Sequence, residues 1–263
     1  MRVLFIGDIV GHGGRKAVQA LSPLIQQEFS CDFCIANGEN MAGGNGMTKP
    51  LLAEFTPEQV DVFTSGDHTW DQRDFPGQID DLANVLRPAN FPACQPGRGW
   101  GLFTARNGAK IGVVNLLGRV FMKLNASSPF DAADQAIQEL SQETNAIFVD
   151  FHGEATSEKL SLAYYLDGRV TAVLGTHTHV ATADDQILPG GTAAQCDVGM
   201  VGVKGSVLGR DAGPVIANFR TGMPQRFPVS EGEVLLHGTI VTFDESTGRA
   251  TEIQRVERAY GIQ

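Results

Sequence analysis

Val173-Leu174-Gly175-Thr176-His177-Thr178-His179 is the stretch from which the rest of the chain can be read. The apolar run 170–174 has the composition of a buried strand. It breaks at Gly175 and then presents two imidazoles two residues apart. In an extended backbone residues i and i+2 point the same way, so both rings are expected to lean into one pocket just past a strand end. His-x-His alone is a weak metal signal, and the placement of the other ionisable residues has to decide.

On the N-terminal side, residues 2–6 form an apolar strand that stops at Gly7-Asp8. Val18, Leu21, Leu24 and Ile25 share one face of a helix predicted over 15–29. A strand at 32–36 runs into Asn37-Gly38-Glu39-Asn40 and a glycine-rich loop, 41–47; Thr48 caps a short helix with Pro50 in its first turn. Another strand, 60–64, ends in Ser65-Gly66-Asp67-His68. A hairpin joins 102–104 to 110–116 around Asn107-Gly108, and helices at 131–140 and 156–166 flank a strand, 146–149, that ends in Asp150-Phe151-His152. On the C-terminal side come a second hairpin (186–188 with 193–196), a glycine-rich loop at 197–213 and a helix starting at Pro214. Two long antiparallel strands, 233–243 and 250–258, finish the chain. Strand–helix units followed by hairpins make this an α/β protein with two packed sheets and helices outside, in one domain over 1–263.

Composition narrows the function. The chain has 263 residues, 42% of them hydrophobic, enough for a full core. Its net charge of −10 argues against a surface that grips long DNA or RNA, though a small phosphate-bearing substrate remains open. No segment has the length of a signal peptide core or a membrane span, so a soluble, cytoplasmic protein is expected. Cys31, Cys34, Cys94 and Cys196 make no disulfide framework at this length. Cys31-x-x-Cys34 lacks a second pair and falls on a strand, which favours buried, inert thiols.

Four of the six histidines, His68, His152, His177 and His179, sit just beyond strand ends, and Asp8, Glu39 and Asp67 occupy the same kind of position. Ligands of α/β sheets gather outside the carboxyl ends of strands, where loops converge. Imidazole with carboxylate suits transition metals rather than calcium or magnesium alone. Seven candidates on five strand ends exceed the needs of one ion, so two ions joined by a bridging carboxylate are the economical reading. Each residue alone has a plainer role: Asp8 in a turn, His152 bonded within its loop, Asn40 as a cap. Their joint placement at successive strand exits is what points to a site. His12 and His237 are assigned to a loop and a strand, Lys204 and Arg210 to solvated loop charges, and Arg87, Asn90 and Arg119 to structure rather than substrate.

Gly7-Asp8, Asn37-Gly38-Glu39-Asn40, Gly66-Asp67-His68, His152 and Gly175-Thr176-His177-Thr178-His179 resemble the ordered blocks of calcineurin-like metallophosphoesterases. More narrowly, 115–121, 150–159 and Asp197-x-Gly199-Met200 resemble the bacterial YmdB group, so that the likeness covers nearly the whole chain. The resemblance implies a four-layer α/β/β/α sandwich of two mixed β-sheets, the metallophosphoesterase fold. It implies two metal ions, iron or manganese, and phosphodiesterase activity on small 2′,3′-cyclic nucleotides. Carried over residue by residue, it puts Asp8, Asn40 and His179 on one ion, Asp67, His152 and His177 on the other, with Glu39 bridging and His68 off the metals beside the leaving oxygen. The implied chemistry is attack on phosphorus by a metal-bridged hydroxide, with protonated His68 serving the departing ribose oxygen. A homo-oligomer is left open, and no substrate-reading side chain is identified.

Two departures stand out. The superfamily usually has Asn where this chain has Asp67. With Asp8, Glu39, Asp67 and one hydroxide, the formal charges cancel two divalent ions, which favours a ferric ion in one position or a weaker Lewis acid. Val10 stands where a histidine is common, and Asn40 is expected to fill that slot. The rival readings are a phosphomonoesterase or short-RNA nuclease on the same core, and a metal-bound regulatory protein that binds a nucleotide with little turnover.

Overall fold

The computed structural model describes residues 1–261, and its layers follow from how many faces each strand buries. In β1 (Arg2–Ile6), Val3 and Phe5 point between two sheets, while Leu4 and Ile6 point towards α1 (Gly11–Phe29). A strand covered on both faces needs an unbroken apolar run, which is what the sequence has there. β2 (Asp8–Ile9) follows the break at Gly7. β3 (Phe33–Asn37) and β4 (Val62–Thr64) extend β1 in parallel, with Val3 opposite Phe33 and Ile35 opposite Val62. Between them lies α2 (Lys49–Leu52), whose cap Thr48 accepts from Leu51 N as expected.

The second sheet takes the middle of the chain: β5 (Trp100–Thr104), β6 (Lys110–Leu117), β7 (Ile147–His152), β8 (Ala172–Thr176), β9 (Gln186–Ile187) and β10 (Ala193–Gln195), in the order β5-β6-β7-β8-β10-β9. The helices α3 (Pro129–Leu140) and α4 (Thr156–Tyr165) cover its outer face, where Ala133, Ile137 and Leu162 meet Val114, Val149 and Val173. The chain then returns to the first sheet through β11 (Met200–Val203), which pairs with β2. After α5 (Ala212–Thr221) come the long β12 (Val234–Phe243) and β13 (Ala250–Tyr260). β12 pairs antiparallel with β1, β11 and β13, giving the order β2-β11-β12-β1-β3-β4 with β13 on β12. The result is the expected α/β/β/α sandwich. Its middle layer includes Phe5, Phe33, Phe148 and Phe243, the last two edge to face at 5.6 Å. Among the described residues no helix is long and apolar enough to cross a membrane.

Two expectations need correction, and glycine is the reason in both. The first helix begins at Gly11, not at 15, so His12 is helical rather than a loop residue. A Cβ at Gly14 would lie 2.4 Å from Val201 O, so the glycines that read as a loop are what lets the helix approach β11. The glycine-rich 197–213 segment likewise contains β11, a strand whose shortness and glycine hid it. His237 lies on β12 as expected. Cys31, Cys34 and Cys196 are buried and unpaired; burial pushes Cys31 up to about 11 and Cys34 higher still, which makes both poor nucleophiles.

The inter-sheet layer changes character towards the C-terminal ends of its parallel strands. Period-2 alternation carries each inward face from apolar to polar: Ile35 to Asn37, Val62 to Thr64, Phe148 to Asp150 and His152, Leu174 to Thr176. All of these polar residues are fully buried. Gly175, between the last two, is pressed against the backbone just past β10, for a Cβ there would lie 1.7 Å from Cys196 O. Gly175→Ala is therefore expected to destabilise the fold by about 3 kcal/mol, the upper range of overpacking. Gly213→Ala, where an added Cβ meets open space, should stay within about 0.5 kcal/mol. Urea midpoints of the two variants check the contrast, and equal midpoints would refute it.

Candidate metal centre

The seven residues singled out as ligands gather at this polar rim in two adjoining groups. Glu39, Asp67, His152 and His177 offer ligand atoms that all lie within 4.8 Å of one another. His152 Nε2 is 3.1 Å from Glu39 Oε1 and 3.2 Å from Asp67 Oδ1, and His177 Nδ1 is 3.0 Å from His152 Nε2. Beside them His179 Nε2 lies 3.1 Å from Asn40 Oδ1 and 3.9 Å from Asp8 Oδ1, which is itself 3.9 Å from His152 Nδ1.

The hydrogen-bond network fixes which atoms face each other. Buried Asp150 accepts from Asn37 Nδ2 at 3.0 Å, from the Thr64 hydroxyl, and from Thr176 Oγ1 at 2.7 Å. Because the Thr176 proton goes to Asp150, its oxygen accepts from His152 Nδ1 at 2.8 Å, and the lone pair of His152 is left on Nε2. His177 Nε2 lies 3.2 Å from Glu154, which leaves the His177 lone pair on Nδ1. His179 Nδ1 donates to Leu208 O at 3.2 Å, and Asn40 Nδ2 to Gly44 O at 3.1 Å. With the imidazoles neutral, His152 Nε2 faces His177 Nδ1 and His179 Nε2 faces Asn40 Oδ1 lone pair to lone pair, so each gap calls for a proton or a metal cation. Among the described residues the buried Asp8 Oδ1 has no hydrogen-bond partner. A cation turns each of these repulsive or orphaned contacts into ligation, so the donor set fits a metal.

Charge agrees with geometry. Burial alone disfavours an imidazolium at His152, but Glu39, Asp67 and Asp8 outweigh it and raise its affinity for a proton well above the ordinary histidine range. Burial likewise opposes charge on Glu39 and Asp67, yet His152 and, for Asp67, His177 hold both carboxyls below their usual values. Asp8 is pushed up by burial, against the pull of His152. A nest of carboxylates that holds a proton so firmly also attracts a metal ion, which competes for the same lone pairs. His179 is lowered by burial, as suits a neutral ligand.

The histidine loop does not converge in the way its spacing implied. His177 has φ +101° and His179 φ +64°, so the backbone there is left-handed rather than extended, and the two rings go to different groups. This unfavourable turn is pinned from below. Lys159, buried on α4, donates to Thr176 O at 2.9 Å and to Asp197 Oδ2 at 2.8 Å; Asp197 also accepts from Thr178 N and Gly199 N.

His68 lies off both groups, its Nδ1 2.7 Å from Asp71 Oδ2, at the wall of a cleft of ≈ 300 Å³. The two glycine-rich loops border that cleft through Gly44, Leu208 and Arg210. Arg210 is not the solvated charge expected of it. Half-buried, its guanidinium donates to Gly43 O, Gly44 O, Phe227 O and Asn45 Oδ1. Lys204 is an exposed charge 3.7 Å from Glu233. Arg87 and Asn90 are buried and hold loop carbonyls of Pro88, Gln95 and Pro96, and of Leu117 and Ser127, whereas Arg119 is exposed. Sequence reasoning gave no role to Asp150, Thr176, Lys159, Asp197, Glu154, Asp71 or Asn45. Strand alternation would have found the first two, since both fall on the inward face.

A family model described as YmdB-like protein matches residues 4–256. A Bacillus subtilis (strain 168) protein named 2′,3′-cyclic-nucleotide 2′-phosphodiesterase is 45% identical over 256 residues, 97% of this chain and 96% of that protein. Among solved structures, a hypothetical protein from Thermus thermophilus superposes with a TM-score of 0.91 at 39% identity, covering 98% of this chain and 99% of that one. A Mycoplasma pneumoniae protein described as a novel phosphatase gives a TM-score of 0.90 at 31% identity, over 99% and 94% of the two chains.

Removing one partner of a buried ion pair strands the other charge. Lys159→Met is accordingly expected to cost about 3–5 kcal/mol, because Asp197 is left buried beneath the histidine loop. Chemical denaturation of the variant measures this directly, and a loss below about 1 kcal/mol, the ordinary worth of an exposed pair, would contradict it.

Proposed function

Because the chain belongs to the YmdB-like protein family, we propose that it is a metal-dependent phosphodiesterase that opens 2′,3′-cyclic nucleotides at a centre of two iron or manganese ions. The observation that carries this reading is the pair of facing lone pairs, His152 with His177 and His179 with Asn40, one in each ligand group. Asp67, His152 and His177 would hold one ion and Asp8, Asn40 and His179 the other, with Glu39, which lies with the first group, available to either. Bound there, the ions supply a nucleophile from water near neutral pH and offset the charge that builds on the phosphoryl oxygens.

The chain's own groups do the rest. His68 gives its Nδ1 hydrogen to Asp71, and Nε2 has no protein partner among the described residues. A proton held at Nε2 passes to the ribose oxygen as its bond to phosphorus breaks, and the Asp71 carboxylate steadies the imidazolium until then. The name of the B. subtilis relative specifies the 2′-ester, and we assign the same bond here. The cleft is small and the chain acidic, which suits a mononucleotide better than a polymer. Asp67 adds a full negative charge where a neutral amide is usual, and on this reading it favours a ferric ion in the site it shares with His152 and His177.

Elemental analysis of the purified protein, paired with hydrolysis of 2′,3′-cyclic AMP by the same sample, tests the proposal. About two equivalents of iron or manganese with cleavage are expected. His68→Ala should lower kcat by about 10²–10⁴-fold with metal retained. Tight binding of the nucleotide without cleavage would overturn the reading in favour of a regulatory protein, and release of phosphate from monoesters alone would favour a phosphomonoesterase. Asp67→Asn should change metal preference and turnover together; an unchanged variant would refute the charge argument.

A further inference from the structure

The cleft wall carries a hydrogen-bonded chain that the reaction outlined above leaves unused. Arg210 Nη2 donates to Asn45 Oδ1 at 2.5 Å and to Gly44 O at 2.8 Å. The carboxamide of Asn45 then has one possible direction. With its oxygen on the guanidinium, its NH₂ donates to Asp71 Oδ2 at 3.1 Å, the same oxygen that takes the His68 Nδ1 hydrogen at 2.7 Å, and makes only a packing contact of 3.2 Å with Nδ1 itself. Flipping the amide would set its oxygen against a carboxylate and its NH₂ against a cation, and both contacts are repulsive. The backbone of Asn45 is also held, since Gln72 Nε2 donates to its carbonyl at 2.6 Å. The flanking Gly43, Gly44 and Gly46 all have positive φ, so the loop is shaped to bring this one amide to Asp71.

We propose that Arg210 and Asn45 are positioning residues for His68. Resting on the phosphodiesterase reading, the inference assigns Arg210 to the leaving-group side of the reaction rather than to the substrate phosphate. Four of its five N–H groups already point at protein oxygens, which leaves no fork for a phosphate. Asn45 supplies Asp71 with a second donor, and the carboxylate is held where His68 Nδ1 meets it at 2.7 Å. That contact fixes the imidazole with its hydrogen on Nδ1 and aims Nε2 for proton delivery.

Arg210→Met and Asn45→Ala, assayed on two diesters, test the assignment. Opening 2′,3′-cyclic AMP expels an alkoxide that needs a proton, whereas bis(4-nitrophenyl) phosphate expels a phenolate that does not. Each variant is expected to lose about tenfold or more in kcat on the cyclic nucleotide, keep within about twofold on the aryl diester, and retain its metal. Equal loss on both substrates, loss of metal, or a rise in KM alone would overturn the proposal. A readout independent of turnover is the ¹⁵N spectrum of His68 in zinc-loaded protein: hydrogen on Nδ1 in the parent chain, with that preference lost in both variants. Retention of the tautomer in the variants overturns the proposal as well. If the parent chain cleaves neither diester, the phosphodiesterase reading fails, and the tautomer still decides whether Arg210 and Asn45 position His68.

Discussion

One buried carboxylate keys the two sheets together. Asp150 on β7 belongs to the second sheet, yet two of its three side-chain donors, Asn37 and Thr64, come from β3 and β4 of the first; the third, Thr176, comes from β8 alongside. An ionised group at no exposure is costly unless such donors surround it, and burial still pushes this carboxyl up. What the fold gains is registration. The same bonds that solvate Asp150 fix how far β3, β4 and β8 run past the aromatic layer before their loops begin. Through Thr176 they also decide which nitrogen of His152 carries a hydrogen. The candidate site above therefore inherits its geometry from a contact that reaches it through Thr176 on His152 and Asn37 on the Glu39 backbone.

Much of this architecture can be read in advance, because its strands are unusually plain. A run such as Val3-Leu4-Phe5-Ile6 needs cover on both faces, and strand exits carrying Asp, Glu or His mark one rim of the molecule. The order of blocks then identifies the group to which the chain is similar. Local patterns fail where glycine serves close packing. Gly14 sits in a helix because β11 passes too near for any side chain, and β11 itself resembles loop because its own sequence is short and glycine-bearing. For Gly14 the deciding neighbour is almost two hundred residues away along the chain, and for β11 the partners are β2, as distant, and β12, all beyond a local window of sequence.

The site shows the same division. Its candidate residues could be picked out from type and placement, but not the manner of their convergence. His177 and His179 meet different partners because each takes a left-handed backbone, held by the buried pair of Lys159 and Asp197. Arg210 lies in a segment that reads as mobile and solvated; three-dimensional proximity to Gly43, Gly44 and Asn45 turns it into an internal brace. Charge in a loop is ambiguous in sequence because its counterpart is a backbone carbonyl, which every residue has.

The place of β12 carries a consequence for assembly. This strand, at residues 234–243, lies between β1 and β13 and also anchors β11, through which β2 and Asp8 are held. β1 is made long before β12, its antiparallel neighbour, so one edge of β1 stays bare until residues 234–243 follow, and the pairing that closes it joins residues 2–6 to 238–242. Every candidate ligand has been made by residue 179, yet Asp8 has no fixed place until β11 and β12 dock. The candidate site thus assembles only after β12 is made, and a nascent chain stalled before it carries every one of these side chains without bringing them together.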